Sequence, residues 1–173
     1  MSLRTLLLGS ALLVGTVSPA QTDLEQVNEI RRQCADINAS HWTERRVAEV
    51  ADTWVDAYYR NGELRKISAR TFSEAGSGVA EYYVHAGELI HVYTQRTSYT
   101  QSPADSTTLE AALAPLSETL LVPQKVETRA FFAQRQLIRH YTSGKPLAAD
   151  DREAFTQSTL ERFAELRQAV QKD

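Results

Sequence analysis

Three stretches of this chain repeat one pattern of apolar and polar positions: Val55–Ala69 (VDAYYRNGELRKISA), Val79–Thr94 (VAEYYVHAGELIHVYT) and Val126–Thr142 (VETRAFFAQRQLIRHYT). Each carries an aromatic pair (Tyr58-Tyr59, Tyr82-Tyr83, Phe131-Phe132), a short polar turn, then a leucine (Leu64, Leu89, Leu137) that opens a run with β-branched residues. Such runs on either side of Asn61-Gly62 or Ala86-Gly87 predict β-hairpins, because glycine accepts the left-handed backbone that a tight turn needs. The third turn, Ala133-Gln134-Arg135, lacks glycine and carries the weaker signal. Unequal spacing between the copies argues against a solenoid and for a meander of three related hairpins.

A register follows if each turn is a three-residue loop, Arg60-Asn61-Gly62 in the first hairpin. Tyr59 then faces Glu63, Tyr58 faces Leu64, Asp56 faces Lys66 and Val55 faces Ile67. One face collects Val55, Ala57, Ile67 and Ala69, and the other Asp56, Tyr58, Leu64, Lys66 and Arg70. The same reading pairs Tyr82 with Ile90, Ala80 with Val92, Glu81 with His91, Ala130 with Ile138 and Arg129 with Arg139. Ile67, Ile90, Val92 and Ile138 share an apolar face that wants a helix against it.

Helices are available. From Thr22 to about Ala39, Leu24, Val27, Ile30, Cys34 and Ile37 recur at spacings of three and four, with Thr22 and Glu25 placed as a capping box. Near the other end, Asp150 and Glu153 suggest a capped start for a helix carrying Phe155, Thr159, Phe163, Leu166 and Val170. Between the second and third hairpins, Gln101–Gln124 is rich in leucine and reads as a helical excursion, interrupted at Pro115. His41–Asp52 reads as one more strand at the sheet edge, where its charges discourage stray pairing. The expected fold class is α+β: an antiparallel β-meander with an N-terminal helix, a helical insert and a C-terminal helix, packed on one sheet face.

The first twenty residues stand apart from this pattern. Arg4, the apolar stretch Leu6–Val17 and the small residues Ser18-Pro19-Ala20 make a cleavable signal peptide, with Ala20 and Gln21 on either side of the cut. The stretch is shorter than the roughly 20 apolar residues a bilayer span needs. Gln21 stands where a lipidated cysteine would have to be, so no stable membrane anchor is expected. Residues 21–173 then form a single domain, of a size that allows a real core.

The whole chain carries 19 Lys and Arg against 22 Asp and Glu, a net charge of −3. Removing Arg4 with the leader leaves 18 against 22, or −4. Mild acidity is unlike the basic footprint of a nucleic-acid binder. Cys34 is the sole cysteine, so no internal disulfide forms even in an oxidising compartment. It is either a small buried apolar residue or an exposed thiol able to pair with another chain.

The segments YYRNGELRKI, EYYVHAGELIHVYT and VETRAFFAQRQLIRHYTSGK together resemble a group of uncharacterised exported bacterial proteins. These share aromatic-x-x-Gly-x-Leu hairpins, a later Glu-x-Arg-aromatic-Phe segment and a terminal helix. Glu127, Arg129, Phe131 and Phe132 match that later segment, whereas Arg135 stands in place of the family's glycine. The similarity covers residues 54–170. It implies an α+β fold and an exported compartment, periplasmic or extracellular, and brings no activity, cofactor or catalytic residue.

Candidate chemistry gathers on the polar sheet face, which the expected register fills with Asp56, Lys66, Glu81, His91, Tyr93, Arg129, Arg139 and Tyr141. The binding set is Glu81, His91, Arg129, Arg139, Tyr93 and Tyr141. Arginines hold carboxylates or phosphates by paired hydrogen bonds, and the expected Arg129–Arg139 like-charge pair invites an anion between them. The rim aromatics Tyr58, Tyr83 and Phe131 suit sugar rings. Glu81 beside His91 is the minimum for a general base oriented by a carboxylate. Cross-strand pairs that simply solvate an outer face account for the same residues.

Other motifs carry less. His41, His85, His91 and His140 scatter over different elements without metal-ligand spacing, and His140 falls on the apolar face as a core histidine. Ser73–Gly78 is a turn between strands and lacks the amide array that cradles phosphate. No serine sits in a Gly-x-Ser-x-Gly elbow. Trp42 and Trp54 offer platforms for a ligand, but packing between sheet and helix explains them more simply. The sequence supports an exported, non-catalytic module that binds an anionic ligand, a sugar or an envelope protein, with no cofactor. A small envelope hydrolase using Glu81 and His91 is the alternative.

Overall fold

The computed structural model describes residues 19–101, 121–143, 145–146 and 148–171. The expected leader therefore lies, but for its last two residues, outside the described residues, and so do positions 102–120 of the expected helical excursion.

Helix α1 (Pro19–Ala39) leads into strands β1 (Glu44–Val50), β2 (Thr53–Arg60), β3 (Glu63–Ser73), β4 (Gly76–His85), β5 (Glu88–Gln101), β6 (Leu121–Ala133) and β7 (Gln136–Thr142). The two-residue β8 (Lys145–Pro146) follows, then a single 3-10 turn and helix α2 (Arg152–Ala169). Each strand pairs antiparallel with its sequence neighbour, so the sheet is a meander in chain order. The fold is α+β. Residues 121–124, expected as the end of a helix, belong to β6 and pair with β5 at Gln101↔Leu121 and Tyr99↔Pro123.

The hairpins share one geometry, and it differs from the expected register. Arg60 pairs with Glu63, His85 with Glu88 and Ala133 with Gln136, which leaves two-residue turns. Both turn residues take positive φ in every case: Asn61 54° and Gly62 79°, Ala86 50° and Gly87 80°, Gln134 50° and Arg135 64°. That is the backbone whose twist matches the flanking strands. A bulge follows each turn, leaving Arg65, Ile90 and Ile138 without a partner in the register. Past the bulge every expected partner moves by two residues: Tyr58 faces Lys66, Ala57 faces Ile67, Tyr82 faces Val92 and Ala130 faces His140.

A shift of two preserves the face of each residue, so Val55, Ala57, Ile67 and Ala69 do line one apolar side. Near the turns the faces change. Leu64 joins Tyr59 on that same side, and Leu89 and Leu137 are buried there with Val84 and Phe132. Ile90 and Ile138, expected among them, point to the opposite face.

Both faces carry a helix, which corrects the expectation that the helices share one. Phe163, Leu166 and Val170 of the C-terminal segment pack on Val55, Ala57, Ile67, Tyr82, Val92 and Phe132. Val27, Ile30, Cys34 and Ile37 of α1 pack on Tyr83, Ile90 and Phe131. Tyr82 and Tyr83 are chain neighbours and so project to opposite sides, as do Phe131 and Phe132. The molecule is three-layered, with two apolar cores separated by the sheet.

Helix boundaries also move. The first helix begins at Pro19, a residue suited to a first turn, so Thr22 and Glu25 lie inside it rather than at a cap. Leu24 falls off the buried stripe and is 51% exposed. The second helix starts after Asp151, whose side chain makes no capping hydrogen bond, so the Asp150–Glu153 cap is not used.

Candidate ligand-binding cleft

The polar face survives, but α1 crosses part of it. Lys66 Nζ is 2.7 Å from Glu81 Oε1 and donates to Asn38 Oδ1 at 3.1 Å. Tyr83 donates its hydroxyl to the other Glu81 oxygen at 2.7 Å and accepts from Asn38 Nδ2 at 3.1 Å. Burial is the main reason the Tyr83 hydroxyl is pushed up, with Glu81 adding to it. Glu81 thus serves the end of α1 on β3 and β4.

His91 does different work. Its Nδ1–H donates to the Ala130 carbonyl at 2.8 Å, and its ring stacks on Phe131 with centroids 4.5 Å apart. Burial lowers its pKa to about 4, so the ring is neutral at neutral pH. No hydrogen bond links it to Glu81 among the described residues, and their strand partners are Tyr83 and Tyr93 respectively. An oriented Glu–His base is therefore not assembled. On the other face, His140 is buried as expected, with its ring edge against Phe155 at 4.4 Å and Nδ1 without a partner.

The arginines also separate. Arg129 faces Tyr93 and Tyr141, while Arg139 faces Phe131, so the expected like-charge pair does not form. Arg139 Nε donates to the Tyr141 hydroxyl at 3.1 Å. Arg129 lies over the Tyr93 ring at 5.8 Å, and Tyr93 donates to Gln95 Oε1 at 3.2 Å. Asp56, on the same face, is clamped between Arg45 and Arg70 instead of pairing with Lys66.

What the structure brings together is a cleft of about 590 Å³ between α1 and the β6–β7 end of the sheet, lined by Arg31, Lys125, Glu127, Arg129, Tyr141 and Ser143. Lys125, Glu127 and Arg129 alternate along β6 and so share one face. Glu127 is 2.8 Å from Lys125 and 3.6 Å from Arg129. Its carboxyl is held below the usual range chiefly by the Lys125 hydrogen bond. Arg31 sits over the Phe131 ring at 5.5 Å and has no carboxylate within ion-pair distance among the described residues. Three cations therefore surround one anion, beside a tyrosine and a serine hydroxyl. Such a set takes an oxyanion through charge-assisted hydrogen bonds.

Of the expected binding set, Arg129 and Tyr141 line this cleft, and Tyr93 and Arg139 touch those two from the same sheet face. Glu81 and His91 lie elsewhere. Lys125 was legible from its period-two spacing to Arg129, whereas Arg31 is not, because its place depends on which face α1 covers. Trp42 packs against Tyr58 as expected, with centroids 5.3 Å apart, but Trp54 is 52% exposed. Among the described residues no group of three or more His, Cys, Asp or Glu side chains is placed to hold a metal. No family model, no curated protein and no solved structure matches the chain.

Proposed function

We propose that this protein is an exported, non-catalytic binding module that holds a carboxylate- or phosphate-bearing ligand in the cleft of Arg31, Lys125 and Arg129. The carrying observation is the surplus of positive charge in that cleft on an otherwise acidic chain. Glu127 offsets one of the three cations, and an anionic ligand offsets the rest. Tyr141 and Ser143 add neutral donors that orient it.

The leader pattern supports export. Cleavage between Ala20 and Gln21 removes only Pro19 and Ala20 from α1, and the buried stripe, which starts at Val27, keeps its packing. Full-length chain carrying a C-terminal tag, made in a bacterial host, is expected in the envelope fraction or medium with Gln21 as its first residue. Uncleaved protein in the cytoplasm overturns this part of the reading.

The binding part is tested by calorimetric titration with inorganic phosphate and with citrate. Both are expected to bind, more weakly at high salt. Each of Arg31→Ala and Arg129→Ala weakens binding about tenfold or more, since hydrogen bonds to charged groups contribute about 1.5–3 kcal/mol. Absence of binding to either probe, or equal affinity in the double variant, overturns it.

A further inference from the structure

A second cleft, of about 400 Å³, opens on the opposite face beside α2, where β3, β4 and β5 run beyond the end of the helix-covered core. Its volume is at the lower end of the roughly 300–1,000 Å³ of small-molecule sites. We infer that this cleft binds a small hydroxylated carboxylate, a single sugar acid, through Arg96, Arg162, Tyr82 and Thr71.

The floor is made of Ala69, Gly78 and Ala80, so a ring can lie close to the strand backbones. A Cβ at Gly78 stands 2.7 Å from Thr71 Oγ1, so a larger residue there makes that threonine move. No long aliphatic side chain lines the cleft, which gives a hydrocarbon ligand little to pack against.

Tyr82 points to an occupant. It is only 6% exposed, and its ring stacks on Phe163 with centroids 6.1 Å apart. Its hydroxyl has no hydrogen-bond partner among the described residues, yet it is not sealed in the core as the Tyr59 hydroxyl is. Tyr82 itself lines the cleft. A hydroxyl open in this way takes its partner from outside the chain, water in the free protein and a ligand hydroxyl or carboxylate in the bound one.

The charged walls come from two elements. Arg162 of α2 donates to Thr53 Oγ1 at 3.2 Å and to Glu165 at 2.5 Å, which fixes its guanidinium at the rim. Arg96 of β5 has no ion-pair partner among the described residues. A guanidinium fork matches a carboxylate bidentately, and the threonine and tyrosine hydroxyls serve as donors or acceptors for a polyol. A neutral sugar leaves Arg96 unanswered, and a bare carboxylate leaves the hydroxyls so.

The test is titration of the isotope-labelled protein with galacturonate, followed by amide NMR shifts, with galactose and acetate as the paired probes. Galacturonate is expected to shift Gly78, Thr94 and Arg96 in a saturable way, with both controls at least about tenfold weaker. Tyr82→Phe keeps the stack on Phe163 and removes only the hydroxyl, so it weakens binding about fivefold with an unchanged melting temperature. Arg96→Ala weakens it about tenfold or more. The Arg31→Ala, Arg129→Ala double variant, altered on the other face, leaves this binding unchanged. No saturable shift at these amides, galactose binding as tightly as galacturonate, or Tyr82→Phe and Arg96→Ala binding like the parent each overturns the inference.

Discussion

His91 donates its Nδ1–H to the Ala130 carbonyl across the β5–β6 pair at 2.8 Å, and this bond holds the imidazole flat against Phe131. Removed from water under α1, the ring keeps its proton less readily than free histidine and titrates at about 4. In the unfolded chain its pKa is near 6.5, so between those values the unfolded state binds more protons than the folded one. The contribution is fully present above about pH 6.5, declines as pH falls toward 4, and reaches on the order of 3 kcal/mol. Urea unfolding at pH 7.5 and 4.5 checks this. The parent is expected to lose stability at the lower pH, and His91→Phe to lose markedly less.

Asp56 accepts from Arg45 at 2.6 Å on one oxygen and from Arg70 at 2.7 Å on the other, and its carboxylate is almost wholly buried between them. Replacing Asp56 by Ala leaves two guanidiniums facing each other, whereas replacing either exposed arginine leaves one good ion pair. Asp56→Ala is expected to cost about 2 kcal/mol and Arg45→Ala less than half of that. Chemical denaturation of the two single variants and the double variant checks it, and the double should cost little more than Asp56→Ala alone.

The turns make a paired prediction. Gly62 has φ of 79° and nothing within 4 Å of an added Cβ, so Gly62→Ala reads backbone conformation alone and costs about 1 kcal/mol. Arg135 occupies the matching position of the third hairpin at φ 64° without being glycine. Arg135→Gly is expected to stabilise by up to about 1 kcal/mol, measured as a rise in melting temperature. Destabilisation by Arg135→Gly shows that the arginine side chain matters more than its backbone.

Cys34 lies in the core under α1, and burial pushes its thiol up to about 12, with nearby Lys66 opposing that rise and Glu81 adding to it. A thiol that is neither exposed nor ionised reacts slowly. The native protein is expected to resist a disulfide reagent at pH 8 and to react at once in denaturant. Rapid native labelling, or a disulfide-linked dimer, shows the opposite.

Local pattern was enough for the three hairpins, the edge position of the β1 strand, the buried stripe Val27, Ile30, Cys34 and Ile37, and the inward face of Val55, Ala57, Ile67 and Ala69. These rest on periodicities of two and near four that any stretch of chain displays by itself. A bulge has no such signature. It is a matter of two residues opposing one, decided only when both strands are laid together, and it sent Ile90 and Ile138 to α1 and Leu64, Leu89 and Leu137 to α2.

The same count moved Arg129 from Arg139 to Tyr141. Which helix covers which face was likewise invisible, since α1 and α2 each offer one apolar stripe and either side of the sheet could take it. Tertiary packing made that choice, and with it put Arg31 beside Lys125 and Arg129, and Arg162 beside Tyr82. The residue types at both clefts belong to the sequence, but their meeting depends on long-range contacts between elements whose separation along the chain carries no periodic trace.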